Sequence, residues 1–494
     1  SDLVLDFNGA LSGEHGDGLI RSWLNPKMFG DKIYHAFVQL KTAFDPKNLM
    51  NPGKVVNGPG FGENLRLSPA APIKEIPTFL DFSKEGGFEL AADLCNGNGM
   101  CRKAEKIMCP SFQATGNEYD TTRARAQTLR SMIHGRLDTS LSGKEIHEIL
   151  DLCLECKGCK TECPSQVDMA KMKAEALYHY HQKHGYPLRS YLFGHIGSIN
   201  RLASPFAALF NASSDKTKTL LKWIGITPNR ALPPLARQTF SKWLKQQPAK
   251  KYGKQVVLFN DTYTEYNYPE IGQAAYRLLE QLEYSLIIPD WQCCGRPLIS
   301  KGLLPQAKEK ALALIKTLLP YAQQGLKIVG LEPSCILTIK DDYPGLVAGN
   351  AAQTVAQACL TLDEFLHLHL QNGALPLSFS DQEHKLLLHG HCHQKSLIGT
   401  KPSLEVLRGV KGFHPTEIPS GCCGVAGSFG YESEHYDLSM RIGELHLLPA
   451  VRSSDPNTII VANGVSCRSQ IMHGTGRRAY HLAEVILNQL KDIQ

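Results

Sequence analysis

The sequence lacks any long apolar run, and no stretch approaches the ~18 apolar residues of a membrane-spanning helix. It also has little excess charge of one sign, since a formal net charge of +6 is small for 494 residues. Basic and acidic residues are interspersed, so no nucleic-acid footprint stands out. These absences predict a soluble protein, at most peripheral to a membrane, that does not bind nucleic acid.

Cysteine, by contrast, is abundant, and its spacing indicates metal binding rather than a disulfide framework. The chain has fifteen cysteines and is long enough for about three or four domains. Disulfide frameworks are typical of short secreted domains, whereas several cysteines here stand in C-x2-C or Cys-Cys pairs, the pattern of metal ligands. We therefore expect metal-bound thiolates in a reducing compartment, which predicts a cytoplasmic protein.

Four cysteines followed by a proline form the most specific motif in the chain. Cys153, Cys156, Cys159 and Cys163 precede Pro164 with the spacing C-x2-C-x2-C-x3-C-P. This spacing is typical of a loop that binds a four-iron cluster, and in two-cluster ferredoxins the fourth cysteine ligates the other cluster. The motif predicts that the protein transfers electrons.

A second, incomplete cysteine motif lies upstream. Cys95 and Cys101 are six residues apart, as are the first and third ligands of the downstream motif, but Asn98 occupies the middle position. Cys109-Pro110 then supplies a fourth ligand. If the fourth ligands are exchanged, one site is complete and the other lacks one thiolate. The complete site is Cys109, Cys153, Cys156 and Cys159, and the incomplete site is Cys95, Cys101 and Cys163.

Three outcomes are open for the incomplete site: a three-iron cluster, a four-iron cluster with a non-cysteine ligand, or a lost site. The surrounding pattern is helical, since Thr121-Thr122 can cap a helix that extends to about Ile133. Nearby basic residues could stabilise reduced, anionic clusters, but we favour solvated surface charges. They are Arg102, Lys103, Arg123 and Arg125.

From about residue 254 the pattern alternates between short apolar strands and helices, and it occurs twice. The first copy predicts strands near residues 256–259, 285–288 and 327–331, and the second copy predicts strands near 386–388, before Ile418 and near 458–461. Such alternation is typical of parallel sheets. The predicted fold class is a multidomain α+β and α/β protein with an all-α helical ferredoxin module and duplicated α/β domains.

The cysteines of the two copies follow the strands by a few residues. They should therefore lie at the carboxyl ends of the strands, where ligands bind in open α/β sheets. Cys293-Cys294-Gly295 corresponds to Cys422-Cys423-Gly424, and Cys335 corresponds to Cys467. Cys392, however, corresponds to Thr262. The second copy has four candidate thiolate ligands, and the first copy has three, which leaves its occupancy open.

Four further residues in these domains need an interpretation. His389, His391 and His393 flank Cys392 and are either substitute ligands and proton carriers or plain loop histidines, which we favour. Cys359 lies outside every motif in an apolar stretch. We expect it to be a buried core thiol.

The first residues contain a glycine-rich turn with adjacent Glu14 and His15, both potential metal ligands or proton acceptors. An ordinary polar turn is the alternative. The segment from Ser12 to Gly16, together with Asn51-Pro52-Gly53-Lys54, resembles the closing segment of FAD-linked oxidases that include D-lactate and D-2-hydroxyglutarate dehydrogenases. The resemblance implies that Glu14 binds a divalent metal such as zinc, that His15 accepts the substrate proton, and that Asn51 lies near the flavin.

In that family, the FAD-binding domain and the histidines that complete the metal site would lie upstream of Ser1. A segment of about 55 residues is too short to enclose a flavin and a substrate. We therefore expect the chain to be the carboxyl-terminal half of a larger polypeptide. On its own it should not oxidise the substrate.

The double Cys-Cys-Gly arrangement resembles the cysteine-rich domain of heterodisulfide reductase and of the iron–sulfur subunit of glycolate oxidase. The resemblance implies an unusual iron–sulfur cluster or zinc at the electron-acceptor end. Over the whole chain, the order of parts resembles the fused bacterial D-2-hydroxy acid dehydrogenases, particularly the D-2-hydroxyglutarate type. Electrons would pass from a small 2-hydroxy acid to FAD, through the clusters, and on to a quinone or a carrier protein.

Two alternatives remain open at this point. One is glycolate or D-lactate as the substrate, because the residues that bind the side-chain carboxylate should lie upstream. The other is a non-catalytic scaffold that is similar to heterodisulfide reductase or binds zinc, and that docks a separate flavoprotein.

The predicted domain organisation follows from these motifs. Its parts are the end of an FAD-linked oxidase domain at 1–56, a Gly- and Pro-rich linker at 57–90, the helical ferredoxin-like domain at 91–185, a helical connecting region at 186–253, and Cys-Cys-Gly domains at 254–375 and 376–494. In the connecting region, Leu220 to Ile224 and Phe240 to Leu244 carry tryptophans among lysines. Such a stretch can lie on the inner membrane face, but we favour helices packed on the protein itself.

Overall fold

The structure is a computed structural model that describes residues 1–63, 75–103, 107–212, 221–248, 251–371, 373 and 375–491. Backbone contacts divide the chain into two compact units, Ser1–Lys74 and Glu75–Gln494. The division falls within the segment that we interpret as a linker. Residues 64–74 of that linker, and Leu220 of the tryptophan-bearing stretch, lie outside the described residues.

The first unit is a small helical segment. It contains the helices Asp2–Asp6 and Asn25–Phe44, with a 3-10 turn at Ser22–Leu24. The long helix is kinked at Gly30, whose φ of 71° is accessible to glycine without strain. Two hydrogen bonds connect the start of this helix to the segment that follows Asn51-Pro52-Gly53. The amide of Val55 donates to the Ser22 hydroxyl over 2.7 Å, and Asn25 Nδ2 donates to the Val55 carbonyl over 2.9 Å.

The second unit begins with the helical ferredoxin-like module. Thr121 caps one of its helices by accepting a hydrogen bond from the amide of Ala124 over 3.0 Å, so the predicted helix to Ile133 is confirmed. The apolar faces of these helices meet in a core that includes Phe88, Leu129 and Met172. The helices are Phe88–Asp93, Pro110–Thr115, Thr122–Ile133, Lys144–Asp151, Gly158–Glu162 and Met169–His184, with 3-10 turns at Ser83–Glu85, Met100–Arg102 and Glu118–Asp120.

The connecting region contains short helices, and its chain is anchored to the second Cys-Cys-Gly domain. Ile226 forms a β-bridge with Glu432, and the amide of Thr227 donates to the carbonyl of Tyr431 over 2.8 Å. The helices of this region are Leu188–Gly194, Ile196–Ala203, Ala207–Asn211 and Phe240–Leu244, with a 3-10 turn at Ser204–Phe206.

Each Cys-Cys-Gly domain contains one four-stranded parallel sheet, and the two sheets have the same topology. The first sheet has the order β2-β1-β3-β4 and the second the order β6-β5-β7-β8. The central pairs also correspond, since Val257 pairs with Ile328 and Leu386 pairs with Ile459. The predicted duplication and fold class are confirmed. The strands are β1 Lys254–Phe259, β2 Tyr284–Ile287, β3 Ile328–Gly330, β4 Cys359–Thr361, β5 His384–Leu388, β6 Phe413–Glu417, β7 Ile459–Val461 and β8 Ala479–Tyr480.

Helices cover both sheets. In the first domain they are Thr262–Tyr266, Pro269–Gln281, Arg296–Ser300, Leu304–Gln323, Pro333–Leu337, a π-helix at Thr338–Asp342, Tyr343–Leu346, Asn350–Ala358 and Leu362–Gln371. In the second they are Cys392–Leu397, Lys401–Arg408, a 3-10 turn at Phe429–Tyr431, Tyr436–Leu445, Leu447–Ser453, Val465–Thr475 and Leu482–Asn488. Within the described ranges, every helix is too short or too polar to span a bilayer.

Candidate metal centres and the cavity between them

The loop at 153–159, which we call the cluster loop, turns twice through left-handed backbone conformations. Glu155 and Lys157 have φ of 53° and 62°, and each lies between two successive cysteines. These turns bring the three thiols to one side of the loop. Cys109 has a φ of 52° and precedes the helix that Pro110 begins. The thiols of the predicted complete site line one small cavity; they are Cys109, Cys153, Cys156 and Cys159.

A buried guanidinium lies at this cavity. Arg125 is only 1% exposed; its Nε donates to the Ile149 carbonyl over 3.1 Å, and its Nη2 donates to the Ser111 hydroxyl over 3.1 Å. The interpretation of Arg125 as a surface charge is therefore wrong, because its helix face is turned into the core. For Arg123 and Arg102 the interpretation as outer charges fits, since both pair with the half-exposed carboxylate of Glu118.

The three thiols of the incomplete site interact with one another. Cys95 is coupled electrostatically to both Cys101 and Cys163. A hydrogen bond from the Cys109 thiol lowers the pKa of Cys101 to about 6, so this site adjoins the complete one. Asn98, at the position of the absent ligand, is exposed, and its Oδ1 accepts the amide of Met100 over 2.9 Å.

The four cysteines of the second Cys-Cys-Gly domain also converge. Cys392 begins the helix that follows β5, Cys422 and Cys423 follow β6, and Cys467 lies in the helix that follows β7. Their thiols form one hydrogen-bonded series in which Cys422 donates to Cys392 and lowers the pKa of Cys392 to about 7. Four buried thiols at the carboxyl ends of adjacent strands can hold a metal centre.

The first Cys-Cys-Gly domain places three thiols and a hydroxyl at the corresponding positions. The thiol of Cys294 is hydrogen-bonded to those of Cys293 and Cys335. Thr262 is 4% exposed, and its hydroxyl lies within hydrogen-bonding reach of the Cys293 thiol. A Cβ placed on Gly197 would lie 3.1 Å from that Oγ1 and 3.3 Å from the Cβ of Cys293, so the hydroxyl and the thiol lie against the same glycine.

The spacing of all these thiols bears on the kind of metal they could hold. A tetrahedral zinc ion with Zn–S bonds of about 2.3 Å needs sulfur atoms roughly 3.8 Å apart. In the part of the chain that the structure describes, no three cysteines have sulfur atoms all within 4.8 Å of one another. Among the residues that the structure describes, the one group of His, Cys, Asp or Glu that meets this limit is Glu432, Glu434 and His435, and its carboxylates already pair with Arg189 and Lys301.

The three histidines around Cys392 are all buried. His389 Nδ1 is 2.8 Å from the Ser420 hydroxyl, and burial lowers the pKa of His389 to about 3. His391 Nδ1 accepts the amide of His393 and thereby caps the helix of Cys392. His393 Nε2 donates to the carbonyl of Glu155 over 2.9 Å. The interpretation as plain loop histidines is incomplete for His393, because it connects this domain to the cluster loop.

The cluster loop also packs directly on both Cys-Cys-Gly domains. Lys157 is 2% exposed, and its Nζ lies 2.7 Å from Asp341 and 2.6 Å from Asp342 in the first domain. In addition, Arg296 pairs with Glu155 over 2.6 Å. Toward the second domain, the Ser396 hydroxyl donates to the Cys156 carbonyl over 2.8 Å, and the thiols of Cys156 and Cys392 are close enough to interact electrostatically. These contacts hold the two thiol sites next to each other.

Glu14, His15 and Asn51 lie in the first unit. The carboxylate of Glu14 is 3.8 Å from the imidazole of His15, and these side chains are 91% and 88% exposed. Asn51 is exposed and accepts a hydrogen bond from Lys54 over 3.1 Å. Cys359 is fully buried at the start of β4, and burial raises its pKa, so the predicted core thiol is confirmed.

Comparisons with known proteins assign classes to three segments of the chain. Residues 1–55 match the family of FAD linked oxidases, C-terminal domain; residues 91–167 match the 4Fe-4S dicluster domain; and residues 259–340 match the Cysteine-rich domain. The chain thus combines an FAD-oxidase segment, an iron–sulfur module and Cys-Cys-Gly domains, as the sequence motifs predict.

Several known proteins are similar to this chain over most of its length. A D-2-hydroxyglutarate dehydrogenase from Pantoea ananatis is 26% identical over 98% of this chain, and a homologue of the same name from Escherichia coli K12 is 25% identical over 99%. The chain spans 52% of the length of both relatives. The glycolate oxidase iron-sulfur subunit of E. coli K12 is 24% identical over 78% of this chain and 91% of its own length.

Several residues of the site have no sequence signal comparable to a cysteine motif. Lys157 and Glu155 lie between ligands, where the motif leaves the residue type free. Arg296 directly follows the first Cys-Cys-Gly and begins a helix, so its position next to a motif was the one available hint. His435 and Glu432 lie outside every motif, and their ion pairs with Asp151 and Lys301 form only when the domains pack together.

Proposed function

We propose that this chain forms the electron-transfer part of a flavin- and iron–sulfur-dependent D-2-hydroxy acid dehydrogenase, with D-2-hydroxyglutarate as the substrate. The support for the substrate is the similarity to D-2-hydroxyglutarate dehydrogenases over nearly the whole chain. The similarity to the glycolate oxidase subunit keeps glycolate, and with it D-lactate, as the alternative substrate.

The observation that carries the proposal is the contact between the cluster loop and the second Cys-Cys-Gly domain. Cys156 and Cys392 belong to different four-thiol sets, yet Ser396 bonds the backbone of Cys156 directly. When bound, an iron–sulfur cluster transfers single electrons. The residues of the loop would hold one cluster at Cys109, Cys153, Cys156 and Cys159, and the second domain would hold the next centre at Cys392, Cys422, Cys423 and Cys467.

The match of residues 91–167 to the 4Fe-4S dicluster domain favours iron–sulfur clusters over single zinc ions, and so favours electron transfer over a zinc-binding scaffold. The buried Arg125 would offset the negative charge of the reduced cluster. We extend the same inference to the incomplete sites. Cys95, Cys101 and Cys163 would hold a three-iron or four-iron cluster, and Cys293, Cys294 and Cys335 would hold an iron–sulfur or zinc centre.

At the other end of the path, we propose that Glu14 binds a divalent metal, that His15 accepts the hydroxyl proton, and that Asn51 contacts the flavin. The match of residues 1–55 to FAD linked oxidases supports these roles. We further infer that electrons leave to a quinone or a carrier in the cytoplasm, near the inner membrane face.

The experiment is anaerobic reduction of the full-length protein that contains this chain. D-2-hydroxyglutarate should bleach the iron–sulfur absorbance near 400–450 nm within the time of a few turnovers, faster than glycolate or D-lactate do. If another hydroxy acid reduces the centres faster, the substrate assignment fails. If no hydroxy acid reduces them while dithionite does, the dehydrogenase proposal fails.

A further inference from the structure

A cavity of about 630 Å³ lies inside the second unit, between the cluster loop and the Cys-Cys-Gly domains. Cys153 lines it on the side of the cluster loop, and Cys392, Cys422 and Cys423 line it on the side of the second domain. The lining also extends to Lys144 and Tyr180 on ferredoxin helices, so room for a small molecule remains, and the volume is typical of ligand sites.

One wall of the cavity is a fixed network of charged side chains. Glu432 pairs with Lys301, and His435 lies between Glu432 and Asp151 at 3.0 and 2.8 Å. The ring of Phe429 stacks on His435 with a centroid distance of 4.2 Å. Because these side chains are fixed by their contacts with one another, their polar atoms have defined positions in the cavity lining. A site that orients a ligand ring with polar substituents needs such atoms.

The connecting region contributes apolar side chains to another part of the lining. Phe193, Ile196, Phe210 and Leu232 line the cavity there. Phe210 is also 39% exposed, so the same side chain belongs to the cavity and to the outer surface. The connecting region exposes four further large apolar side chains: Leu202 at 77%, Phe206 at 65%, Leu209 at 77% and Trp223 at 86%. We call these four residues and Phe210 the apolar rim.

Positive charge is concentrated in the connecting region, so basic and acidic residues are not evenly interspersed there. Residues 186–253 contain eleven Lys or Arg and a single acidic residue, Asp215, so this segment alone exceeds the net charge of the whole chain. Arg201 and Lys222 are exposed and directly precede Leu202 and Trp223 of the apolar rim in sequence. Exposed aromatic and leucine side chains flanked by basic residues are typical of surfaces that bind anionic membranes.

We propose that the apolar rim rests on an anionic membrane surface and that the cavity behind it binds the ring of a lipid-borne quinone. This inference rests on the proposed function, because the electrons come from the reduced thiolate-bound centres. The quinone takes two electrons, one at a time, and two protons from solvent, so that its two C=O groups become C–OH groups. A soluble carrier protein would need neither an enclosed cavity nor an apolar rim that continues into it.

Membrane binding is tested by co-sedimentation of the anaerobic holoprotein with vesicles. Vesicles of phosphatidylcholine with phosphatidylglycerol should retain the protein, and pure phosphatidylcholine should retain at least tenfold less. The double variant Phe206→Ser, Leu209→Ser should lose binding to anionic vesicles tenfold or more. Leu312→Ser, which removes a 48% exposed leucine from a different helix, is the matched control and should bind normally. Equal binding of the double variant and the wild type would overturn the assignment of the rim.

Quinone binding is tested by reoxidation of dithionite-reduced holoprotein, freed of excess dithionite, with decylubiquinone in anionic vesicles. The test does not use the hydroxy acid, so its failure is separate from failure of the proposed function. Ser190→Phe, which fills the cavity, should slow reoxidation at least tenfold, and Ser300→Phe should do the same if the first variant folds poorly. Ser453→Phe, at an exposed position, is the control. Normal reoxidation rates in both filled variants would overturn the proposal. A wild-type protein that quinone does not reoxidise would also overturn it, and would assign the acceptor to a carrier protein.

Discussion

The hydroxyl of Ser396 donates a hydrogen bond to the carbonyl oxygen of Cys156 over 2.8 Å, and both residues are buried. Ser396 belongs to the helix that Cys392 begins, and Cys156 is the central cysteine of the cluster loop. The bond therefore fixes the distance between two four-thiol sets on different domains. Electron transfer falls off steeply with distance, so a contact of this kind determines which centre receives the electrons.

Removing this contact should slow transfer between the two sites. Ser396→Ala leaves the Cys156 carbonyl without its partner, which costs about 1 kcal/mol of unfolding free energy. We expect the Cys392 centre to be reduced more slowly, with the reduction of the cluster loop unchanged, in freeze-quench EPR after mixing with dithionite. Equal rates at both centres in the variant and the wild type would contradict the direct path. Ser403→Ala is not a suitable control, because Ser403 bonds Asp363; Thr354→Ala, on an exposed helix turn, is suitable.

The buried lysine between the cluster loop and the first domain should be important for stability. Lys157→Met leaves Asp341 and Asp342 without their closest buried cation and should lower the unfolding free energy by about 3 kcal/mol. Lys160→Met is the control: Lys160 also pairs with Asp341 but is 34% exposed, so its loss should cost less than about 1 kcal/mol. Urea unfolding followed by circular dichroism measures both. Similar losses of unfolding free energy in the two variants would show that the burial of Lys157 does not determine its contribution.

The buried guanidinium at the cluster cavity should tune the reduction potential. Arg125→Gln removes a positive charge that favours the reduced, more negative state. An interaction of about 1–2 kcal/mol corresponds to a potential roughly 40–90 mV more negative for one electron. Arg123→Gln, on the same helix but paired with Glu118, should change the potential much less. Redox titration monitored by EPR checks this, and an unchanged potential in Arg125→Gln would be inconsistent with a cluster at this cavity.

The first Cys-Cys-Gly domain should gain a filled site from one substitution. Thr262→Cys replaces the buried hydroxyl beside the Cys293 thiol with a fourth thiol at the position that Cys392 has in the second domain. We expect iron and acid-labile sulfide to rise by the content of about one cluster. Thr262→Val, which has the same shape without the hydroxyl, should show no rise. An unchanged iron content in Thr262→Cys would mean that the three thiols and the new one do not form a site.

The histidine in the cavity wall should make stability depend on pH. Burial alone would lower the pKa of His435, but hydrogen bonds from its ring to Asp151 and Glu432 outweigh this effect and raise the pKa to about 9. Arg189 and Lys301 face the same pair through Glu432. Since the folded pKa exceeds the unfolded value of 6.5, the stabilisation is complete below pH 6.5 and is lost as the pH rises toward 9.

Thermal unfolding of the wild type and His435→Gln across pH 6 to 9.5 tests this dependence. The difference in melting temperature between the two proteins should be largest near pH 6 and should shrink as the pH approaches 9. A difference that stays constant or grows with pH would contradict the assigned protonation of His435.

Motifs that recur with fixed spacing were predictable from the sequence. The strands before each Cys-Cys-Gly are local patterns, and the structure has them where predicted. The cysteine quartet lies in the segment that matches a 4Fe-4S dicluster domain, and the exchange that includes Cys109 stays a prediction. The short strands β4 and β8 were missed because two or three residues carry no period. Arg125 was misjudged because helical spacing does not show which face a neighbouring domain covers, and the contacts of Lys157, His393 and His435 arise from domain packing between residues far apart in sequence.

The central claim is that the thiol sites hold iron–sulfur clusters that carry electrons to the second Cys-Cys-Gly domain. The most direct test is the iron, zinc and acid-labile sulfide content of anaerobically prepared protein. Iron and acid-labile sulfide should be present in nearly equal amounts, and part of both should be lost when Cys156 is replaced by serine. Zinc without acid-labile sulfide would contradict it.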